Sequence, residues 1–176
     1  QEGFWTARGS VFDIGGTTRR AIARLAYGVK PEMAGDDDEN SNGNGSLMRI
    51  LPLLFYISER PAGERFRITE KVSSLTHRHV RSVTACFIYL ELARYLSIGM
   101  KKSDAYKSVR VVTAGHLASL NVPRDERRLF DRLLKGNIQD LPEANIKSTG
   151  YVLDTLEASI WCLMTTESYR EAVLKA

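Results

Sequence analysis

Val80-Arg81-Ser82-Val83-Thr84-Ala85-Cys86-Phe87-Ile88-Tyr89-Leu90-Glu91-Leu92-Ala93-Arg94-Tyr95-Leu96-Ser97 is the most apolar stretch of the chain. Wound at 3.6 residues per turn, it spreads Val83, Phe87, Leu90 and Leu92 round the whole wheel, and a helix apolar on every side is a central, buried one. Working outward, the flanking sequence predicts helices that could surround it. Downstream, Ser103 and Asp104 cap a helix running to about Ala118. Pro123 stands where a first turn tolerates it, ahead of a helix over Arg124 to Leu134 that Gly136 stops. Tyr151 to Leu163 is a second apolar helix with Asp154 and Glu157 as its charges, and Ser168 caps a final one. Upstream, Phe66, Ile68, Val72 and Leu75 keep helical spacing between Glu64 and His77, and Thr76-His77-Arg78-His79 breaks it. Ser46 opens an apolar run to Ile57 that Pro52 kinks or restarts. Thr17 and Thr18 precede a short helix over Arg19 to Ala26, with Gly28 as its stop. Pro31 to Gly45 reads as loop. Sustained alternation of β-branched residues between turn signals is absent, so the predicted class is all-α, without repeats or low-complexity linkers.

Composition agrees with one domain. A chain of 176 residues, 43% apolar and 26% charged, is of globular type and long enough to bury roughly two-thirds of its unfolded surface. The formal charge is only +4, from 25 Lys plus Arg against 21 Asp plus Glu, too small an excess to imply nucleic acid. Cys86 and Cys162 lie among apolar residues in helical patterns, which predicts buried free thiols and a reducing, cytoplasmic compartment. The longest apolar run, Ile50 to Ile57, falls well short of the ~20 residues of a membrane span, and the first residues carry no signal-peptide pattern. Tyr169 to Ala176 stops among strong helix formers with no terminating residue, so both ends are expected to be cut ends of a larger unit.

The loop Ser41 to Arg49 is the clearest candidate for chemistry. Alternating Asn and Gly reach left-handed backbone angles cheaply and can aim successive amides into one concavity, and Ser46 opens a helix behind it, an arrangement that suits phosphate. An Asn/Gly surface turn with a Ser N-cap is the competing reading. His77 and His79 sit at the foot of the central helix as hydrogen-bond donors or capping residues. A zinc site lacks both a His-Glu-x-x-His helix and paired Cys motifs. His116 reads as structural. Asp36-Asp37-Asp38 reads as a solvated acidic run, although hard cations take carboxylates. Asp154-Thr155 and Glu157 could be functional or could be helix-face polars, and Arg19-Arg20 and Arg127-Arg128 read as solvated helix faces without interleaved aromatics.

Four stretches together resemble the ADP-ribosylglycohydrolase family (dinitrogenase-reductase-activating glycohydrolase-like), enzymes that remove ADP-ribose from modified protein side chains or related acceptors. They are Val11-Phe12-Asp13-Ile14-Gly15-Gly16-Thr17-Thr18-Arg19, Asn42-Gly43-Asn44-Gly45-Ser46-Leu47-Met48-Arg49-Ile50-Leu51-Pro52, Ser74-Leu75-Thr76-His77-Arg78-His79, and Gly150 to Trp161, in the family's order and across nearly the whole chain. The resemblance implies an all-α orthogonal helical bundle, incomplete here, with residues 1–176 a single partial domain from its central portion. It implies that Asn44, Gly45, Ser46 and Met48 line the ADP-ribose cleft at diphosphate and ribose, that His77 hydrogen-bonds on the ribose side, and that Tyr151 and Val152 pack near the nucleotide.

The chain departs from the family at the metal. The resemblance implies two Mg²⁺ ions, held by an upstream Thr-Asp-Asp motif and a downstream Gly-Gly-Asp-Thr-Asp-like motif, and neither motif occurs in this sequence. Such ions would orient the ribose and activate water. The expected function is therefore that of a hydrolase of ADP-ribosylated proteins or related acceptors, as a fragment inactive alone. The alternative is a non-catalytic ADP-ribose-binding or structural member, as crystallin relatives of the family are. Expected partners are ADP-ribose or an ADP-ribosylated protein, without nucleic acid or membrane, with self-association through apolar surface left exposed.

Overall fold

The computed structural model describes residues 6, 9–11, 13–120 and 122–176. Among the described residues ten helices follow one another: α1 (Gly16–Ala26), α2 (Gly45–Arg49), α3 (Leu54–Ile57), α4 (Ala62–Ser74), α5 (Val80–Ser97), α6 (Lys102–Ser119), α7 (Arg124–Arg128), α8 (Asp131–Leu134), α9 (Val152–Thr165) and α10 (Tyr169–Lys175). Short 3₁₀ turns join several of them, at Pro31–Met33, Leu51–Leu53, Ile138–Asp140 and Glu143–Asn145. Extended pairing among the described residues is confined to two isolated bridges, Asp36 with His77 and Gly43 with Tyr151. The class is all-α, as the apolar periodicity predicts.

The central helix is where its sequence places it. Ser82 to Ile88 are buried without interruption, and Leu90, Glu91 and Leu92 follow, so α5 is covered on every side between Ser82 and Ile88. Helices α2, α4, α6 and α9 pack round it. One apolar cluster joins Ile88 and Leu90 of α5 to Ile50, Leu54 and Ile57, to Tyr106 and Val109 of α6, and to Leu156 and Ile160 of α9. Each fully buried aliphatic side chain contributes about 1.5–3 kcal/mol relative to an exposed one. A smaller cluster holds Phe66, Val83 and Phe87. Phe66 meets Phe87 edge-on with ring centroids 5.2 Å apart, and the His116 ring lies 4.4 Å from Phe66, which gives His116 the structural place its sequence context suggests.

Glu91 is the exception within this apolar helix. It is fully buried and pairs with Arg65 of α4 through two parallel bonds, one of them Nη2 to Oε2 at 2.6 Å. Arg94 Nη2 adds a longer contact of 3.3 Å. The forked guanidinium matches the carboxylate, which is how two charges are tolerated beneath the surface.

Several boundaries depart from expectation. Gly28 stops α1 as predicted: it takes φ +81°, and the amides of Gly28 and Val29 reach back to the carbonyls of Leu25 and Arg24 at 3.0 Å each, the Schellman arrangement. The expected caps at the other ends lie inside the helices instead. Gly15, Asn44 and Lys101 are the N-caps of α1, α2 and α6, and Thr17, Thr18, Ser46, Ser103 and Asp104 fall within first turns. Asp104 there favours the positive end of α6. The single helix expected over Arg124 to Leu134 is two, because Phe130 leaves helical angles (φ −93°, ψ 1°) with its ring buried. Pro52 restarts its run through a 3₁₀ turn, and Ser168 closes a capping box with Glu171 on α10.

Candidate ligand cradle at the Asn-Gly loop

The loop from Ser41 to Ser46 lies across the start of α9. Asn44 N–H donates to the Gly150 carbonyl and Val152 N–H to the Asn42 carbonyl, both at 2.9 Å, enclosing the Gly43–Tyr151 bridge. Asn44 Nδ2 donates to Thr155 Oγ1 at 3.0 Å, and that hydroxyl donates to the Thr149 carbonyl at 2.9 Å. Asn42 is buried: its Nδ2 donates to the Glu39 carbonyl at 3.1 Å, and its Oδ1 accepts from Ser82 Oγ of α5 at 3.0 Å. Residues more than a hundred positions apart are thus fixed to one another by directional bonds.

Of the loop glycines, Gly45 is required, for a reason other than the expected one. The left-handed nest is not formed: among the described residues, the glycines with positive φ are Gly9, Gly28 and Gly99. What Gly45 supplies is room. A Cβ there would stand 2.9 Å from Cε1 and 3.4 Å from Nε2 of His77, and 3.7 Å from Thr18 Oγ1. At Gly43 a Cβ would meet His77 Nε2 at 3.6 Å. The imidazole is the floor on which the loop rests.

His77 is held accordingly. Its backbone pairs with Asp36, its N–H donates to the Ser73 carbonyl at 2.8 Å, and its carbonyl accepts from Ser73 Oγ at 2.8 Å. Nδ1 lies 2.7 Å from Thr76 Oγ1. Only 3% of the residue is exposed. Burial first, and the Arg49 charge second, push its pKa down to about 4 against the pull of Asp36, so the ring is neutral at pH 7.

The expected ligand contacts divide into two layers. Asn44, Gly45 and Tyr151 are half-buried at the surface of the cradle, and Met48 is 74% exposed. Ser46, His77 and Val152 lie behind them; Ser46 accepts from Cys86 Sγ at 3.5 Å, and Val152 is fully buried. Thr18, Asn42 and Thr155, which lie in the quoted stretches without having been named as ligand contacts, complete the cradle. Two pairings elsewhere overturn expectations. Asp36 is not solvated: it is buried beneath Arg20, whose Nε donates to Oδ2 at 2.7 Å, and Arg24. Burial alone would raise its pKa, but the two guanidiniums outweigh it and hold the carboxyl below the usual range. Arg20 is therefore no free surface cation. Glu157 is not a surface polar either; burial raises its pKa, with Arg132 Nη2 at 3.4 Å opposing.

What the arrangement can do chemically is bind. The N-termini of α1, α2 and α9 meet at the cradle, and none carries a side-chain cap. Their first-turn amides and aligned dipoles favour an anion, with α1 and α9 the longer contributors. Among the described residues no group of three or more His, Cys, Asp or Glu side chains is placed to hold a metal ion, and Asp36 is already neutralised by two arginines. These residues do not fit a Mg²⁺ pair. No helix among them is long and apolar enough to cross a membrane.

The sequence profile of the ADP-ribosylglycohydrolase family matches residues 1–176. An ADP-ribosylarginine hydrolase Tri1 of Serratia proteamaculans (strain 568) is 27% identical over 172 residues, 97% of this chain and 43% of that protein. A protein of the same name from Pseudomonas putida (strain GB-1) is 28% identical over 172 residues, 97% of this chain and 42% of its own. A solved structure described as an ADP-ribosylglycohydrolase-related protein complex superposes with a TM-score of 0.70 at 25% identity, covering 92% of this chain and 51% of that one. The chain spans less than half the length of these curated relatives. With the four motif stretches gathered into one cradle and the profile matched from end to end, the chain belongs to the ADP-ribosylglycohydrolase family.

Proposed function

We propose that this chain is the ADP-ribose-gripping part of a hydrolase that acts on ADP-ribosylated protein, with ADP-ribosylarginine as the linkage. The observation that carries the reading is the convergence of four separated stretches on one spot: Thr18, Asn42 to Gly45, His77, and Gly150 to Thr155. The diphosphate sits against the open amides of α1 and α9, where the helix ends offset its charge. Asn44 and Tyr151 border the nucleotide, and Met48 covers an apolar part of it. The neutral His77 beneath Gly45 sets the height of the loop. The arginine linkage is supported by the names of the Serratia and Pseudomonas relatives. The free thiols Cys86 and Cys162 support a reducing compartment.

The two Mg²⁺ ions implied by the family find no fitting carboxylate set among the described residues, so the role assigned to this chain is binding and positioning, and we expect no turnover by it alone. A second reading, a binding or structural member without catalysis, draws on that same lack of carboxylates. Calorimetry with ADP-ribose and a release assay on ADP-ribosylarginine, with and without Mg²⁺, test both. Saturable binding of ADP-ribose without turnover is the expected result. Turnover by the homogeneous chain would overturn the assignment of binding alone, and absence of binding would overturn the cradle.

A further inference from the structure

Beside the central helix, α6, α7 and α8 enclose a cavity of about 280 Å³. Its rim carries Arg124, Arg127, Arg128 and Lys135, against one acid, Asp131. The cations are poorly matched. Asp131 is engaged by Lys135 at 3.0 Å, and Arg128 reaches outward to the exposed Asp125 at 3.5 Å. Arg124 and Arg127 have no ion pair among the described residues. Arg127 lines the cavity, and its Nε is buried with no hydrogen-bond partner, a condition that native structures rarely keep. The floor is apolar, with Leu117 and Leu134.

We propose that this cavity is a second binding site, distinct from the cradle, for a small molecule carrying a terminal phosphate on an apolar or planar body. Guanidinium forks match phosphate oxygens and are weakly hydrated, so two unpaired arginines in a partly dry cavity suit a dianion better than a chloride or a single carboxylate. The leucine floor takes the body of the ligand, which a free phosphate lacks. The pairing of Arg128 with exposed Asp125 is screened and costs little to exchange for the ligand.

Phenyl phosphate carries both features and is the probe, with inorganic phosphate and phenol as controls. At near-physiological ionic strength, about 0.15 M, where exposed charges are largely screened, calorimetry should show one saturable phenyl phosphate site. Inorganic phosphate should bind several-fold more weakly, and phenol not at all. Hydrogen exchange should slow over residues 114–135 and not over 42–46. Arg127→Met keeps the stem and removes the orphaned Nε, so it folds. It should weaken binding tenfold or more, Arg124→Gln less, and Asn44→Ala not at all. Equal affinity for phosphate and phenyl phosphate would overturn the role of the floor. Binding unchanged in Arg127→Met, protection confined to 42–46, or no saturation would overturn the site.

Discussion

Replacing Gly45 by alanine tests the contact on which the cradle is built. The new Cβ would stand 2.9 Å from His77 Cε1, about half an ångström inside ordinary van der Waals contact, so ring or loop must retreat. The ring has little freedom: it is 3% exposed, and Nδ1 is 2.7 Å from Thr76 Oγ1. Overpacking of this kind costs about 1–3 kcal/mol. Against it, Gly45 is the first residue of α2 and has no positive φ, so alanine also removes unfolded-state freedom and contributes about 0.4–1 kcal/mol of stability. The net expectation is a loss of about 1 kcal/mol, or a Tm lower by roughly 2–4 °C in a chain of this size. In a His77→Ala background the clash is gone and only the favourable contribution remains, so the same Gly45→Ala change should leave stability equal or slightly higher. Urea unfolding of the four proteins at pH 7.5 gives the coupling directly. If Gly45→Ala costs the same with and without the imidazole, the ring is not the floor of the loop and the reasoning is wrong.

Other consequences follow from particular residues. Glu91→Ala strands Arg65 beneath the surface and should cost about 3–5 kcal/mol, whereas the double change Arg65→Met with Glu91→Leu should recover most of it; denaturant midpoints decide. The His77 pKa is about 4 when folded, below the ordinary 6.5, so the unfolded chain takes up its proton first on acidification. That contribution is intact above pH 6.5 and is lost as pH falls from 6.5 through about 4. Because His79 and His116 are lowered in the same direction, the measurement is the difference between wild type and His77→Gln in stability against pH, which should close over that interval. Met48 of α2 and Phe55 of α3, 74% and 85% exposed, should drive association at high concentration. Sedimentation velocity should show Met48→Ser with Phe55→Ser to be less associated than wild type.

Residues with one dominant physical pull were legible from sequence. The all-round apolarity of Val80 to Ser97 specifies a buried helix whatever surrounds it, and the helix has those bounds. Gly28 as a stop and Ser168 as a cap are local chemistry and behave as such. What was illegible depended on partners far along the chain. Asp36 resembles its neighbours in a run of three acids, yet it alone is buried, because Arg20 and Arg24 stand one turn apart on α1 and converge on it. That i, i+4 pair of cations was the available signal. The Asn-Gly loop pointed to the right place for the wrong reason. Alternating Asn and Gly suggested left-handed angles, but the demand for glycine comes from an imidazole 32 positions later, which no local pattern contains. The partner of Thr155 was hidden similarly, since Asn44 is 111 residues away.

The central claim is that the cradle grips ADP-ribose. Its most direct test is calorimetric titration of ADP-ribose into the chain and into Asn44→Ala, which loses the 3.0 Å bond to Thr155 Oγ1 and about 1 kcal/mol of stability while remaining folded. The account predicts one-to-one binding to the wild type, weakened at least several-fold in the variant, with hydrogen exchange slowed over residues 42–46 and 150–155. ADP-ribose that fails to bind, or binds both proteins alike with protection elsewhere, would contradict it.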